Sequence, residues 1–258
     1  MLLLDKSPLW LVYLVTVAVV LMAAEVGFRV GLWLQRRNPE SGGTPMTGAV
    51  VGGMLGLMAF LLAFCIGIVI NQHNGRKAMV VTEANAVGTA YLRAGFLAET
   101  DQDRTRDLLR EYVEIRLAAV GEESLLEATL ARSEEIHNEL WAVVEDVVGQ
   151  GNDSAIIALF VDSINEVIDV HSERLAAIDL RLPELLWMVL YASSVLSFLL
   201  VGVSSSVNGK RDTLAVLLFA LAFVAVLMIV VDLDRAQQGI LTVSQTALSD
   251  LLRQMTTP

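Results

Sequence analysis

The chain has 258 residues, 55% of them hydrophobic, and a formal net charge of −11; its mean hydropathy is +0.59. That apolar content excludes an ordinary soluble domain and fits a polytopic membrane protein. The acidic balance, which falls in the extramembrane part, argues against nucleic acid or anionic lipid as partners of that face, and the single cysteine, Cys65, excludes an intramolecular disulfide.

A bilayer core of about 30 Å takes roughly 20 mainly apolar residues per helix. Four stretches meet that length, at about 8–34, 46–70, 185–203 and 213–231. They show no strand alternation, and lipid demands internally paired backbone groups, so all four are expected to be helices. The first reads as a retained anchor, because it is long, has no A-x-A site and carries Glu25 and Arg29 after its apolar half. Trp10 and Tyr13 at one end and Trp33 at the other suit the two membrane interfaces. Glu25 and Arg29 stand i, i+4 and are expected to form an intramembrane ion pair.

In the second span Gly48, Gly52 and Gly56 recur at every fourth position, and Ala59, Ala63 and Gly67 continue the small face. Such a surface lets helix backbones approach closely, and two partners fit it: another helix of the chain or another protomer. On the neighbouring face lie Leu57, Phe60 and Phe64. At the helical period, Phe60, Phe64, Asn71, Ala78, Thr82, Asn85 and Thr89 fall within about 60° of one another. On an unbroken helix this stripe is bulky and apolar inside the bilayer, and small and polar beyond it. In a closed ring of such helices, Leu57, Phe60 and Phe64 would form a pore constriction. Asn71, Thr82, Asn85 and Thr89 would line an uncharged vestibule. Hydrophobic constrictions gate by dewetting. The plainer reading has Thr82, Asn85 and Thr89 bonding neighbouring helices. Glu83 points to the opposite side and needs a partner, either Arg76 or a cation from another helix. Asp232, Asp234 and Arg235 leave the fourth span on the same side of the membrane. They are expected to join Arg76 and Glu83 in one ionic cluster.

Residues 71–184 hold 10 basic and 22 acidic residues, a net of −12, whereas the rest of the chain holds 8 and 7. The region reads as helix throughout. The run from Glu99 ends at Gly121. Residues 122–149 carry Leu126, Leu130, Leu140, Val144 and Val147 on one stripe. The next helix starts on Asp153 or Ser154 and carries Ile157, Phe160, Val161, Ile164, Ile168, His171, Leu175 and Ile178 at i, i+3, i+4 spacing. Thr242 with Gln245 resembles a capping box for a short terminal helix. No P-loop, GxSxG, HExxH or CxxC occurs, and His73, His137 and His171 are isolated in sequence. His171, on an apolar stripe, reads as a packed, hydrogen-bonded side chain. No enzyme activity, catalytic residue, metal or cofactor is expected.

The fold class is therefore all-α: four transmembrane helices, with a helical extramembrane bundle between the second and third. The divisions are a first hairpin at 1–70, an acidic bundle at 71–184, a second hairpin at 185–232 and an amphipathic tail at 233–258. The short loops 35–45 and 204–212 carry Arg36, Arg37, Lys210 and Arg211. The positive-inside rule puts them in the cytoplasm and the acidic bundle outside.

The blocks "VTEANAVGTAYLRAG", "INEVIDVHSERL", "RLPELLW" and "VDLDRAQQGILTVSQTALSDL" resemble the signature blocks of a bacterial membrane family labelled bestrophin-like, over about residues 46–255. The family pattern often has proline after "DLDR", where Ala236 stands here. The label implies kinship to bestrophins, which are homopentameric anion channels with four spans per subunit, the second lining the pore at a hydrophobic neck. No bestrophin motif is matched residue by residue. The expectation is thus a homo-oligomer, a pentamer by the resemblance, that conducts small inorganic ions across a bacterial inner membrane in contact with lipid. The competing expectation is a non-conducting scaffold or sensor whose acidic bundle binds a protein partner.

Overall fold

The computed structural model describes residues 7–37, 45–151, 154–207, 213–235 and 239–256. Lys210, Arg211 and Ala236, named above, lie outside the described residues, as does Asp153. Every regular element among the described residues is helical: α1 Leu9–Arg37, α2 Pro45–Arg93, a 3-10 turn at Ala94–Phe96, α3 Glu99–Ala118, α4 Glu123–Gly149, α5 Ala155–Asp179, α6 Glu184–Val207, α7 Thr213–Asp234 and α8 Thr246–Thr256. Membrane-length apolar windows occur within Leu9–Arg37, Gly48–Phe96, Ala155–Ser206 and Thr213–Asp234. In the third of these, Asp162, Glu166 and Asp169 crowd α5, so the spanning part is α6. The chain is a multi-pass membrane protein.

α2 is a single helix of 49 residues, about 73 Å long at the α-helical rise and more than twice a bilayer core. The chain divides into two compact units, Met1–Asn71 with Arg181–Leu241, and Gln72–Leu180 with Thr242–Pro258.

The first unit holds α1, the first part of α2, α6 and α7. Its core joins Val20, Met58, Leu62, Cys65, Val69, Trp187, Leu190, Phe198, Val224 and Leu227. Phe198 packs against Phe219 and Phe223 at ring-centroid distances of 5.3 and 5.7 Å. α1 and α6 approach each other closely. A Cβ on Gly202 would sit 2.0 Å from the Ala24 carbonyl oxygen, and one on Gly27 would sit 2.0 Å from that of Leu199. Only glycine fits at these two crossings, because the obstacle in each case is backbone.

The second unit holds the rest of α2, then α3, α4, α5 and α8. Its core includes Val87, Ala90, Leu109, Tyr112, Val113, Ile136, Leu140, Val143, Phe160, Ile164, Val167 and Leu248. Ser154 caps α5, its Oγ accepting from the Ile157 N–H at 3.3 Å. Gly121 closes the α3–α4 turn at φ +81°, a left-handed conformation suited to glycine. Two details differ from the sequence expectation. The buried stripe of α4 begins later than Leu126, which is 37% exposed, because the core facing that helix starts near Thr129. The Thr242–Gln245 capping box does not form. Gln245 donates to the Val243 carbonyl and accepts from Arg174, so its side chain is committed elsewhere.

Candidate functional site

The site is built from α2 outward. Its inner face in the first unit is Met58, Leu62, Cys65 and Val69, all buried. The other face is bare within the chain: Leu57 is 50% exposed, Phe60 67% and Phe64 53%. Ala63 is exposed too. A Cβ at Gly48, Gly52, Gly56 or Gly67 would meet nothing within 4 Å. Among the described residues, no helix packs on these four glycines, and the closest glycine contacts between membrane helices fall at Gly27, Gly31 and Gly202 instead. Asn71 is exposed. In the second unit Val80, Ala84, Val87 and Ala90 face inward, Asn85 and Thr89 are exposed, and Thr82 is half-buried. The Thr82 hydroxyl donates to the Ala78 carbonyl at 3.2 Å, along its own helix.

Glu83 lies opposite this stripe and is fully buried. It sits at the centre of a polar network drawn from α2, α3, α4, α5 and the segment before α8. Tyr112 Oη donates to Glu83 Oε1 at 2.6 Å. Arg174 Nη1 donates to Glu83 Oε2 in a close ion pair, and Arg174 Nη2 donates to Gln245 Oε1 at 2.8 Å. Arg116 Nε lies 3.3 Å from Glu83 Oε1; this contact is ionic and is not aligned as a hydrogen bond, since Arg116 Nε has no hydrogen-bond partner. His171 Nδ1 lies 2.9 Å from Tyr112 Oη. His137 packs edge-on against His171 at 4.8 Å between centroids, and tilted against Tyr112 at 5.5 Å.

The sequence posed Arg76 or a more distant cation as the partner of Glu83. The partners are Arg116 and Arg174. Arg76 instead donates to the Ala177 and Leu180 carbonyls at 3.1 and 2.6 Å. There it supplies positive charge and donors to the open carbonyl end of α5.

Electrostatics follows from burial. Burial, then the Arg116 charge, lowers both His137 and His171 to about 4, so both imidazoles are neutral near pH 7. Burial pushes Tyr112 up to about 12, with Arg116 pulling the other way. Burial lowers Arg174 to about 10, so its guanidinium is charged near neutral pH, and burial lowers Arg116 as well; arginine in proteins keeps its proton. One carboxylate therefore faces two guanidiniums in a dry core. The Tyr112 hydroxyl has one proton and gives it to Glu83. It must then accept from His171, which fixes the proton of that imidazole on Nδ1. Such an arrangement can hold four segments in register around α2. Among the described residues, no group of three or more His, Cys, Asp and Glu side chains is disposed to hold a metal ion.

The remaining members of the expected ionic cluster belong to the first unit. Asp232 accepts from the Ile240 and Leu241 backbone N–H groups at 2.8 and 2.9 Å. Asp234 Oδ1 accepts from the Leu182 N–H at 2.7 Å, and its carbonyl accepts from Arg181 at 2.6 Å. These carboxylates thus hold the chain after α7 and the entry to α6. Arg235 is buried. Glu25 and Arg29 pair at 2.8 Å.

Sequence reasoning missed Tyr112, Arg116, His137, Arg174 and Gln245 as partners of Glu83. One signal was present. On α5 the buried positions Ile157, Phe160, Ile164 and Val167 continue at the same spacing into His171 and Arg174. On α3 Leu109, Tyr112 and Val113 lead into Arg116. A titratable residue at the end of an apolar stripe on each of two helices marks a shared polar centre.

The family model of the bestrophin-like domain matches residues 11–248. No curated protein matches the chain. Among solved structures, the crystal structure of a membrane protein superposes with a TM-score of 0.66 at 13% identity, over 93% of this chain and 97% of that one. At that identity the likeness is one of fold.

Proposed function

Since this chain belongs to the bestrophin-like domain family, we propose that it is an oligomeric membrane ion channel, with a pore lined by α2 and its extension. One observation carries this reading: among the described residues, nothing packs on the glycines of the small face of α2, and its neighbour on the helix is the exposed Leu57, Phe60 and Phe64 face. Glycine faces in membranes serve close helix approach. A second copy seated on Gly48, Gly52, Gly56, Ala63 and Gly67, repeated around a closed ring, turns the phenylalanine face toward an axis. Leu57, Phe60 and Phe64 then form an apolar constriction that closes by dewetting. Asn71, Thr82, Asn85 and Thr89 form the vestibule beyond it. The Glu83 network holds the other side of α2 and keeps that vestibule wall straight.

In this reading the membrane is a bacterial inner membrane, with the bundle on its outer side. The net −12 of residues 71–184 enriches cations near the mouth. The test is ion flux through the purified protein in liposomes, run with cations and with anions. Replacing Phe60 and Phe64 with alanine should raise flux by tenfold or more, on the order of the loss of about 1.4 kcal/mol from a barrier. Absence of flux from both forms with every ion removes the reading. So does a monomeric protein, or a ring with α2 on its outside.

A further inference from the structure

A cavity of about 250 Å³ opens between α1, α6 and α7 of the first unit, lined by Leu21, Glu25, Phe28, Ser205, Thr213 and Leu217 among others. It lies below the roughly 300–1,000 Å³ typical of drug-sized ligands and suits a single flexible chain better than a bulky ring system. Its level in the membrane follows from its walls. Thr213 is the first residue of α7 and Ser205 stands close to the last of α6, so the cavity lies at the level of the α6 C-terminus and the α7 N-terminus. Farther along α1, Trp33 is half-exposed and carries the Arg37 guanidinium 4.2 Å over its ring. Amphipathic aromatic and basic side chains of this kind sit at the headgroup boundary.

Among the described residues, one acidic side chain, Glu25, lines this cavity and a basic one stands a turn beyond it. Arg29, one turn on, spends its Nε on Glu25 at 2.8 Å while its side chain is 75% exposed. Among the described residues, its two terminal nitrogens donate no hydrogen bond. An arginine at the edge of hydrocarbon needs acceptors for those groups. A phosphodiester supplies them in the planar, two-pronged geometry that guanidinium prefers. The adjoining Glu25 carboxylate repels a headgroup that is only anionic and attracts one that also carries an ammonium. The apolar walls take an acyl chain.

We propose that this cavity is a specific site for a phospholipid with a primary-ammonium headgroup, of the ethanolamine type. The phosphate meets the free edge of Arg29, the ammonium meets Glu25, and one chain enters between α1, α6 and α7. A choline headgroup has the charge but no N–H to donate, and a glycerol headgroup has neither. The site does not depend on whether the protein conducts ions.

The test is native mass spectrometry of the delipidated full-length protein, titrated with ethanolamine, choline and glycerol phospholipids of identical acyl chains. The wild type should retain the ethanolamine lipid about tenfold better than the other two, which corresponds to about 1.4 kcal/mol. The double variant Glu25→Gln, Arg29→Gln should bring the three to parity. Leu21→Trp, which fills the cavity and leaves both charges in place, should lower retention of the ethanolamine lipid by a similar factor. It also serves if the double variant does not fold. Equal retention of the three lipids by the wild type overturns the proposal. So does an unchanged preference in the double variant, or unchanged retention in Leu21→Trp.

Discussion

The two units of this chain hold their helices together by opposite means. In the membrane unit one close helix contact has no side chain at all: Gly27 and Gly202 let α1 and α6 meet backbone to backbone. In the bundle unit the centre is ionic, with Glu83, Arg116 and Arg174 buried around a tyrosine and two histidines. The difference reflects the solvent each unit is built against. Lipid tails are as apolar as leucine, so burying leucine between membrane helices gains little, and close van der Waals contact must supply cohesion. In water the apolar faces of α3, α4 and α5 drive association by themselves. A large hydrophobic core can then enclose a charged cluster, here one carboxylate shared by two guanidiniums.

Breaking the ionic centre should give the largest effect. Glu83→Gln leaves two buried guanidiniums without their counter-charge, at a cost of about 3–5 kcal/mol. A thermal melt of the detergent-solubilised protein should fall sharply. Hydrogen exchange should rise in α3 and α5 and stay unchanged in α1 and α6. Equal loss of protection in both units would show that the network is not confined to the bundle.

The glycine side of the comparison is tested by a pair of substitutions. Gly202→Leu collides with the Ala24 carbonyl and should destabilise the protein by about 1–3 kcal/mol, as overpacking does. Gly52→Leu meets nothing in its own chain. It should leave the protomer's melting unchanged in dissociating detergent and shift the oligomer toward smaller species on size exclusion. Similar losses of protomer stability from both would erase the distinction between the two glycine surfaces.

A probe that needs no substitution is pH. His137 and His171 have folded values near 4, depressed from 6.5 by burial and by Arg116. Below about pH 6.5 the unfolded chain takes up protons that the folded bundle refuses. Stability is therefore complete above that pH and is lost as pH falls toward 4, by up to about 1.4 kcal/mol per pH unit for each ring. Denaturant titration between pH 7 and pH 4.5 checks this, and His171→Gln should flatten the slope. An unchanged slope in that variant would mean that another group governs the acid limb.

The layout of the molecule was largely readable in advance. The four spans, a start of α5 at Asp153 or Ser154 and the stop at Gly121 all arise from local rules of hydropathy, propensity and turn chemistry. The stripe through Phe60 and Phe64 was also read as a single face, because a helical period needs only one helix. What could not be read was which faces meet. Glu83 found partners 33 and 91 residues away, at Arg116 and Arg174, and periodicity places a residue on a face without naming the face opposite. The same limit misdirected attention among the glycines. The repeating set in α2 stood out, yet Gly202, with Gly27 on α1, makes the tight intrachain contact. Its role is set by Ala24 on another helix, not by any pattern around it.

The tyrosine at the centre of the bundle has a consequence of a different kind. Its hydroxyl owns a single proton, and the negative charge of Glu83 decides which way that proton points. The orientation passes to the His171 imidazole, which keeps its own hydrogen on Nδ1 and turns a lone pair outward on Nε2. Nitrogen chemical shifts distinguish those two ring positions. His171 is therefore a built-in gauge of the carboxylate two bonds away, legible by NMR in the intact protein, and its tautomer records whether Glu83 still carries charge.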